Sequence, residues 1–552
     1  MTELSALASA RIVVDELLDG GVRHVVLAPG SRSAPLAYAL AEAEATGRVR
    51  LHVRIDERSA AFTALGVILS SGAPAAVVVT SGTAVGNLLP AVMEANHVSA
   101  PLVVLSADRP EELRGTGASQ TTDQMDLFGE HARFAVDVPA GEDPVRAVRT
   151  ALSAATGAFE ELPPGPVQLN LAFRDPLVPG AGDVFPASTD RHPFHYAPDP
   201  APVAYEAPEG LEERRTLVLA GHDAGPIAEA FARAHGLPLA AEPSSNARFG
   251  PDAVGPYRLL LERFGPDSAQ PVERVVVFGR PTLSRPVTAL LARTDIPLAL
   301  YEPVPVSWYR PGLRRETPVA TLAELSAFAG RGPEGWLDAW LLAGETAQHA
   351  VERVLTEEDG LTGPAVAAVV WAATRGQLVL GSSNGIRDAD LAAAPTLEPL
   401  ATVHANRGIA GIDGTTSTAF GVAFGSGRET TLLCGDVTFL HDAGGLFLGA
   451  GEPEPDVRVV VLNDAGGAIF STLEHGALGS GYQPAVERLF GTPHSIDLGA
   501  LAAAYGVPHR VVSTTTELAA ALAEPVQGRS VIEVRCSRDR IRELHARIRA
   551  AL

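Results

Sequence analysis

At 552 residues, 46 % hydrophobic and 20 % charged, the chain is too long for one ordinary core and reads as roughly three domains of about 150–200 residues. A net charge of −22 argues against a nucleic-acid partner, because phosphate backbones are held by basic faces. No lysine occurs, so all 43 basic residues are arginines, which removes pyridoxal enzymes, imine-forming aldolases and Walker A loops.

The opening MTELSALASARIVVDELLDGG places acids within a helical pattern and lacks a basic n-region, so it reads as a folded helix rather than a signal peptide. No apolar run of about 18 residues free of polar breaks is present, and no membrane span is expected. Strands are predicted at 25–27, 51–53, 75–80 and 101–106, with helices after Ser33, over 59–69 and from Ala84. Short apolar runs separated by helices of this length indicate a parallel, doubly wound sheet. Residues 181–212 turn rich in Pro, Ala, Gly and Asp around HPFHYAPDPAPVAYEAPEG, the composition of a linker. A second unit follows with strands at 216–220, 274–278 and 296–300, then a helix over 336–355. Strands at 377–380, 430–433, 457–462 and 530–534 make a third unit. The fold class is therefore α/β, with doubly wound units in tandem. The only cysteines, Cys434 and Cys536, exclude a disulfide framework and fit a reducing cytoplasm.

The most specific stretch lies in the third unit. A strand ending TTLLC runs into Gly435-Asp436 and VTFLHDAGGL, and a second strand, VRVVVLN, ends at Asn463 and continues DAGGAIF. Asp436 and Asn463 are 27 positions apart with one crossover between them. Both are predicted at the carboxyl ends of strands, where open α/β sheets bind ligands. A carboxylate, an amide oxygen and a nearby backbone carbonyl form a hard-oxygen set suited to Mg²⁺, completed by diphosphate oxygens and water. Gly435 would let the backbone approach phosphates, and Gly466-Gly467 would free backbone N–H groups to do the same.

A Gly-Asp and a distant Asn alone are ordinary turn residues. The strand–GD–TFLHD–strand–ND–GG arrangement resembles the diphosphate- and magnesium-binding motif of thiamine diphosphate enzymes. That resemblance implies three tandem doubly wound parallel-sheet domains: pyrimidine-binding (1–180), central (213–345) and diphosphate- and Mg-binding (346–552), with the linker at 181–212. It also implies a glutamate whose carboxylate hydrogen-bonds the aminopyrimidine ring, which then removes the C2 proton of the thiazolium. In LHVRIDERSAAFTALG that residue is Glu57; taken alone, it reads as a helix N-terminal charge. Because family members pair the pyrimidine domain of one subunit with the diphosphate domain of another, a homodimer or homotetramer is implied.

LAPGSRSAPL, TSGTAVGNLLPAVMEA, SADRPEELRGTGASQT and HANRGIAGIDGTTSTAFG resemble one group in particular. This is the 2-succinyl-5-enolpyruvyl-6-hydroxy-3-cyclohexene-1-carboxylate synthases of menaquinone biosynthesis. The family's reaction decarboxylates 2-oxoglutarate and adds the succinic semialdehyde carbanion to isochorismate in a conjugate manner. Dicarboxylate substrates call for arginines, which bind carboxylates bidentately. The resemblance places Ser31, Arg32, Arg109 and Gln120 against the substrates, Arg285 at the isochorismate carboxylates, and Ser383, Arg387 and Arg407 around 2-oxoglutarate or its adduct. It assigns Glu57, Gly82, Ser383, Ile412, Gly435, Asp436, Gly466 and Phe470 to thiamine diphosphate. Ile412 would wedge the two rings into their bent conformation, and Phe470 would give apolar wall. Asp436, Asn463 and the Ala465 carbonyl are expected to hold Mg²⁺, with Mn²⁺ able to substitute. His441 is expected to be structural or to support the metal ligands from behind, and Cys434 to be core. Three positions depart from the family: Asp464 and Ala465 stand in a cradle often richer in Asn and Gly, and Ser284 stands where some members carry lysine.

Overall fold

Every strand found belongs to one of three parallel sheets in a computed structural model that describes residues 3–159, 162–188, 203–309 and 312–552. The centre of the Pro-rich linker lies outside the described residues. The first sheet contains β1 (His24–Leu27), β2 (Arg50–Val53), β3 (Ala75–Val79), β4 (Leu102–Asp108), β5 (Phe134–Val138) and β6 (Val167–Ala172), in the order β2-β1-β3-β4-β6-β5. The central sheet contains β7 (Thr216–Ala220), β8 (Leu239–Ala241), β9 (Arg274–Phe278), β10 (Leu298–Tyr301) and β11 (Thr317–Val319), in the order β11-β10-β9-β7-β8. The third contains β12 (Gly376–Leu380), β13 (Ala401–His404), β14 (Thr430–Gly435), β15 (Val457–Asn463), β16 (His509–Val512) and β17 (Arg529–Arg535), in the order β13-β12-β14-β15-β17-β16. Numbered within their own sheets, the first and third follow the same order. Helices cover both faces of such sheets, so an inner strand such as β3, AAVVV, is buried along its whole length.

The first and third units share one apolar core, in which Val77 and Val79 belong with Leu432 and Val459. Two helices seal it, Glu57–Ser71 and Thr415–Ser426. They cross where Gly66 faces Gly421: a Cβ on Gly421 would stand 2.0 Å from the Thr63 carbonyl oxygen and 2.9 Å from the Gly66 Cα. Asp442 fastens the same junction, accepting the Ser417 N–H at 2.7 Å while its other oxygen lies 3.5 Å from the Ser59 hydroxyl. The central unit has its own core around Phe264, Trp336 and Trp340. Among the described residues no helix is long and apolar enough to cross a membrane.

Candidate active site

Strand register alone lines up seven of the expected residues. Leu27, Val53, Val78 and Leu105 form one row across the first sheet, and Ser31, Glu57, Gly82 and Arg109 each stand four residues beyond it. In the third sheet Leu380, Leu433 and Val460 form a row, and Ser383, Asp436 and Asn463 each stand three residues beyond it. Parallel strands share one carboxyl edge, so side chains from distant parts of the sequence meet there.

In the third unit these residues border a cavity of about 430 Å³ lined by Ser383, Ile412, Gly435, Asp436, Gly466 and Phe470. Asp436 is buried; it accepts the Val437 N–H at 2.6 Å and the Gly466 N–H at 2.9 Å. Burial raises its carboxyl above the usual range. Asn463 donates Nδ2 to Glu533 at 2.9 Å, which assigns its Oδ1 to the Ala465 side, 3.1 Å from that residue's N–H. Ala465 itself is left-handed at φ 59°. One carboxylate oxygen, one amide oxygen and the carbonyl of a tight turn are therefore gathered within one loop pair, and a hard divalent cation fits that donor set. Gly435 gives an independent sign of fit. It lines the cavity, and a Cβ there would meet nothing within 4 Å, so a side chain would occupy the open space a diphosphate needs. Asp388 and Asp464 border the same space, each pushed up to about 7 by burial. A diphosphate among such carboxylates requires a cation between them.

One expectation is corrected here. Gly466 and Gly467 do not offer free amides: the first donates to Asp436 and the second to the Gly491 carbonyl at 2.7 Å. A Cβ on Gly466 would stand 2.3 Å from the Gly491 oxygen and 2.4 Å from the Arg538 guanidinium, so glycine is needed for close approach of chain segments. Ser383 has the opposite peculiarity. Its φ of 78° and ψ of −135° match those of Gly82, 78° and −133°, yet it carries a side chain. Backbone in that region costs of order 1–3 kcal/mol for a non-glycine residue, and such strain concentrates at ligand clamps.

The first unit builds a second cluster. Glu57 opens its helix, with Asp56 capping the Ser59 N–H, and its carboxylate accepts from Asn87 Nδ2 at 3.1 Å. Gln120, left-handed at φ 60°, donates to the Ser81 carbonyl at 3.0 Å and accepts Arg109 on its own carbonyl at 2.9 Å. Arg109 also bonds the Ser81 hydroxyl. Arg32 donates to the Phe173 carbonyl at 2.8 Å, and Ser31 is exposed beside it. Burial, with the Arg32 charge nearby, holds the Arg109 guanidinium below its usual value. None of the residues lining the third-unit cavity comes from this cluster. A single chain thus carries two candidate half-sites that do not meet in that cavity.

Arg407 is 2 % exposed and bonds Thr282 Oγ1 at 2.8 Å, the Thr282 carbonyl at 3.3 Å and Ser382 Oγ at 3.3 Å; burial brings it down to about 10. Arg387 donates to the Ser383 carbonyl at 2.7 Å. Arg285 behaves differently: it is exposed and ion-paired to Glu474 at 2.5 Å. Three contributors escaped sequence reasoning. His494 touches Asp436 through Nε2 at 3.0 Å, and its N–H donates to the Ala465 carbonyl at 3.3 Å. Gln124, buried, accepts the Gly82 N–H at 2.8 Å, and Thr282 anchors Arg407. Only Thr282 had a local signal, lying beside Arg285 in RPTLSR. His441 bonds Arg58 only through its backbone carbonyl, and Cys434 is buried in the shared core.

Known families match both ends of the chain. Residues 8–127 match the thiamine pyrophosphate enzyme N-terminal TPP binding domain, and residues 390–534 match the C-terminal TPP binding domain. A 2-succinyl-5-enolpyruvyl-6-hydroxy-3-cyclohexene-1-carboxylate synthase of Paenarthrobacter aurescens (strain TC1) is 70 % identical over 552 residues, covering 100 % of this chain and 97 % of the relative. The enzyme of that name from Arthrobacter sp. (strain FB24) is also 70 % identical, over 100 % of this chain and 92 % of the relative. The one from Mycobacterium marinum (strain ATCC BAA-535 / M) is 42 % identical over 98 % and 99 %. The chain belongs to the 2-succinyl-5-enolpyruvyl-6-hydroxy-3-cyclohexene-1-carboxylate synthase family of thiamine diphosphate enzymes.

Proposed function

We propose that the chain decarboxylates 2-oxoglutarate and joins the remaining four-carbon unit to isochorismate by conjugate addition. The products are 2-succinyl-5-enolpyruvyl-6-hydroxy-3-cyclohexene-1-carboxylate and CO₂, in menaquinone biosynthesis. Thiamine diphosphate, when bound, supplies the carbon nucleophile and the electron sink for loss of CO₂. Asp436, Asn463 and the Ala465 carbonyl would hold Mg²⁺, or Mn²⁺ in its place, which would offset the charge of the diphosphate. Glu57 holds the proton relay at the pyrimidine ring. Ile412 and Phe470 wall the reacting end and exclude water, which favours departure of a carboxylate as neutral CO₂.

The observation that carries the substrate assignment is the state of the arginines. The guanidinium groups of Arg32, Arg109, Arg387 and Arg407 donate only to carbonyls and hydroxyls, and none is ion-paired with a carboxylate among the described residues. In a chain of net charge −22 that restraint leaves four cations for substrates bearing two carboxylates each. The two half-sites support a homodimer or homotetramer, in which one subunit's Glu57 cluster covers its partner's cavity. The two free cysteines, Cys434 and Cys536, support a cytoplasmic location.

Isochorismate consumption with 2-oxoglutarate, thiamine diphosphate and Mg²⁺, omitting each in turn, tests the reading. Dependence on all components supports it. CO₂ release from 2-oxoglutarate without loss of isochorismate refutes the acceptor, and inertness with bound cofactor refutes both substrates.

A further inference from the structure

The loop that carries Arg407 and Ile412 is held by all three units. From the central unit, Arg280 Nη1 donates to the Gly408 carbonyl at 2.7 Å and Thr282 receives the Arg407 guanidinium. Within the third unit, Asn406 Nδ2 donates to Thr418 Oγ1 at 3.1 Å. From the first unit comes a contact of another kind. Glu94, on the helix Leu89–His97 and 4 % exposed, accepts the Gly408 N–H on Oε1 and the Ile409 N–H on Oε2, both at 2.6 Å. A buried carboxylate shared between two consecutive amides forms strong, charge-assisted bonds and fixes the orientation of both peptide planes. The approach is possible only at glycine: a Cβ on residue 408 would stand 2.8 Å from the Glu94 carbonyl oxygen and 2.9 Å from the His97 Cβ.

We infer that Glu94 is a positioning residue, which sets the Arg407 guanidinium for the substrate carboxylate by locking the two peptides that follow it. The inference rests on the assignment of Arg407 to 2-oxoglutarate. Glu94 belongs to no half-site. Among the described residues no hydrogen bond or ion pair joins it to the Arg407 side chain, whose charge it attracts only from a distance, and it does not line the cofactor cavity; its bonds are to the backbone. Its carboxylate must remain symmetric: a glutamine would present one oxygen and one NH₂ to two N–H donors, replacing one bond by a donor–donor clash. Displacements of about 1 Å at a group that orients substrate weaken turnover by about a hundredfold.

The test compares Glu94→Gln with wild type, both alone and on an Arg407→Ala background, using the full chain with thiamine diphosphate and Mg²⁺. Two readouts are taken: steady-state kinetics on 2-oxoglutarate, and amide hydrogen exchange of the peptide spanning residues 406–413. Expected are a rise of about tenfold or more in KM for 2-oxoglutarate, cofactor affinity within about twofold, and at least about tenfold faster exchange of that peptide. On the Arg407→Ala background the same substitution should change KM by less than about twofold, because its route of action is gone. Equal effects on both backgrounds, or a loss confined to thermal stability, overturn the inference. Unchanged exchange of the peptide overturns it too, and that readout needs no substrate. If wild type ignores 2-oxoglutarate, the substrate assignment falls, while faster exchange in Glu94→Gln still establishes the clamp.

Discussion

Glu242 follows β8 into the interior of the central unit, where it is 0 % exposed. Oε1 accepts the Thr282 N–H at 2.8 Å and the Leu283 N–H at 3.0 Å, while Oε2 has no partner. Burial, reinforced by Asp390, pushes the carboxyl up from 4.5 to about 8. A group that titrates near 8 when folded and near 4.5 when unfolded makes the folded state bind its proton more tightly. The stability it confers is whole below pH 4.5 and is lost as pH climbs to 8, by at most about 5 kcal/mol at about 1.36 kcal/mol per decade. Glu242→Gln keeps an oxygen for the two amides and removes the ionisation. The variant should therefore match wild type at pH 5 and exceed it at pH 8.5, by on the order of 10 °C in melting temperature at roughly 2–4 °C per kcal/mol. Thermal unfolding of both proteins, followed by circular dichroism across that range, provides the assay. An equally steep decline in Glu242→Gln would refute the reasoning. Since Thr282 stays anchored, activity at pH 6 should remain within about twofold of wild type; a collapse would mean that the negative charge itself holds Arg407.

Glu57→Gln should abolish turnover while thiamine diphosphate still binds, measured by CO₂ release and equilibrium dialysis; unchanged activity would remove Glu57 from the mechanism. Gly421→Ala forces a methyl to within 2.0 Å of the Thr63 carbonyl, so the sealing helices must separate. Calorimetry should show a loss of about 1–3 kcal/mol or more. Gly435→Ala meets no atom within 4 Å and should leave the melting temperature unchanged while weakening cofactor binding, a split that isothermal titration would read. Chelating divalent ions should release thiamine diphosphate, because Asp388, Asp436 and Asp464 would then face its phosphates unscreened, and Mn²⁺ should restore it.

Sequence pattern located the inner strands well. The predicted 216–220 and 274–278 are β7 and β9 without adjustment. It missed β5, β8, β11, β13 and β16, all edge strands of three to five residues, none of which contains three consecutive Val, Leu or Ile residues. β6 was missed for another reason. Its sequence VQLNLA carries Gln168 and Asn170, which are fully buried and bond to Ser106, Gln124 and Asp108 inside the sheet. The helix predicted from Ala84 is two helices, Thr83–Gly86 and Leu89–His97, because Pro90 cannot supply the amide that a continuous helix needs. At the candidate site, Glu57, Asp436 and Asn463 were legible because each lies at, or within four residues beyond, the carboxyl end of a strand. Glu94, Glu242 and His494 were not. The Glu94 bond joins residues 314 positions apart, and nothing local to a helical glutamate announces a partner at that distance.

If the chain pairs as the proposed homodimer, the separation of the two half-sites has a genetic consequence. A chain with Glu57→Gln retains an intact cavity half, and one with Asp436→Ala retains an intact Glu57 half. In the proposed homodimer each is expected to be inactive. When the two are co-expressed, a mixed pair holds one site in which both damaged halves meet and one in which both sound halves meet. Random pairing then returns about a quarter of the wild-type sites from two null alleles. Two alleles damaged in the same half, such as Asp436→Ala with Asn463→Ala, return none.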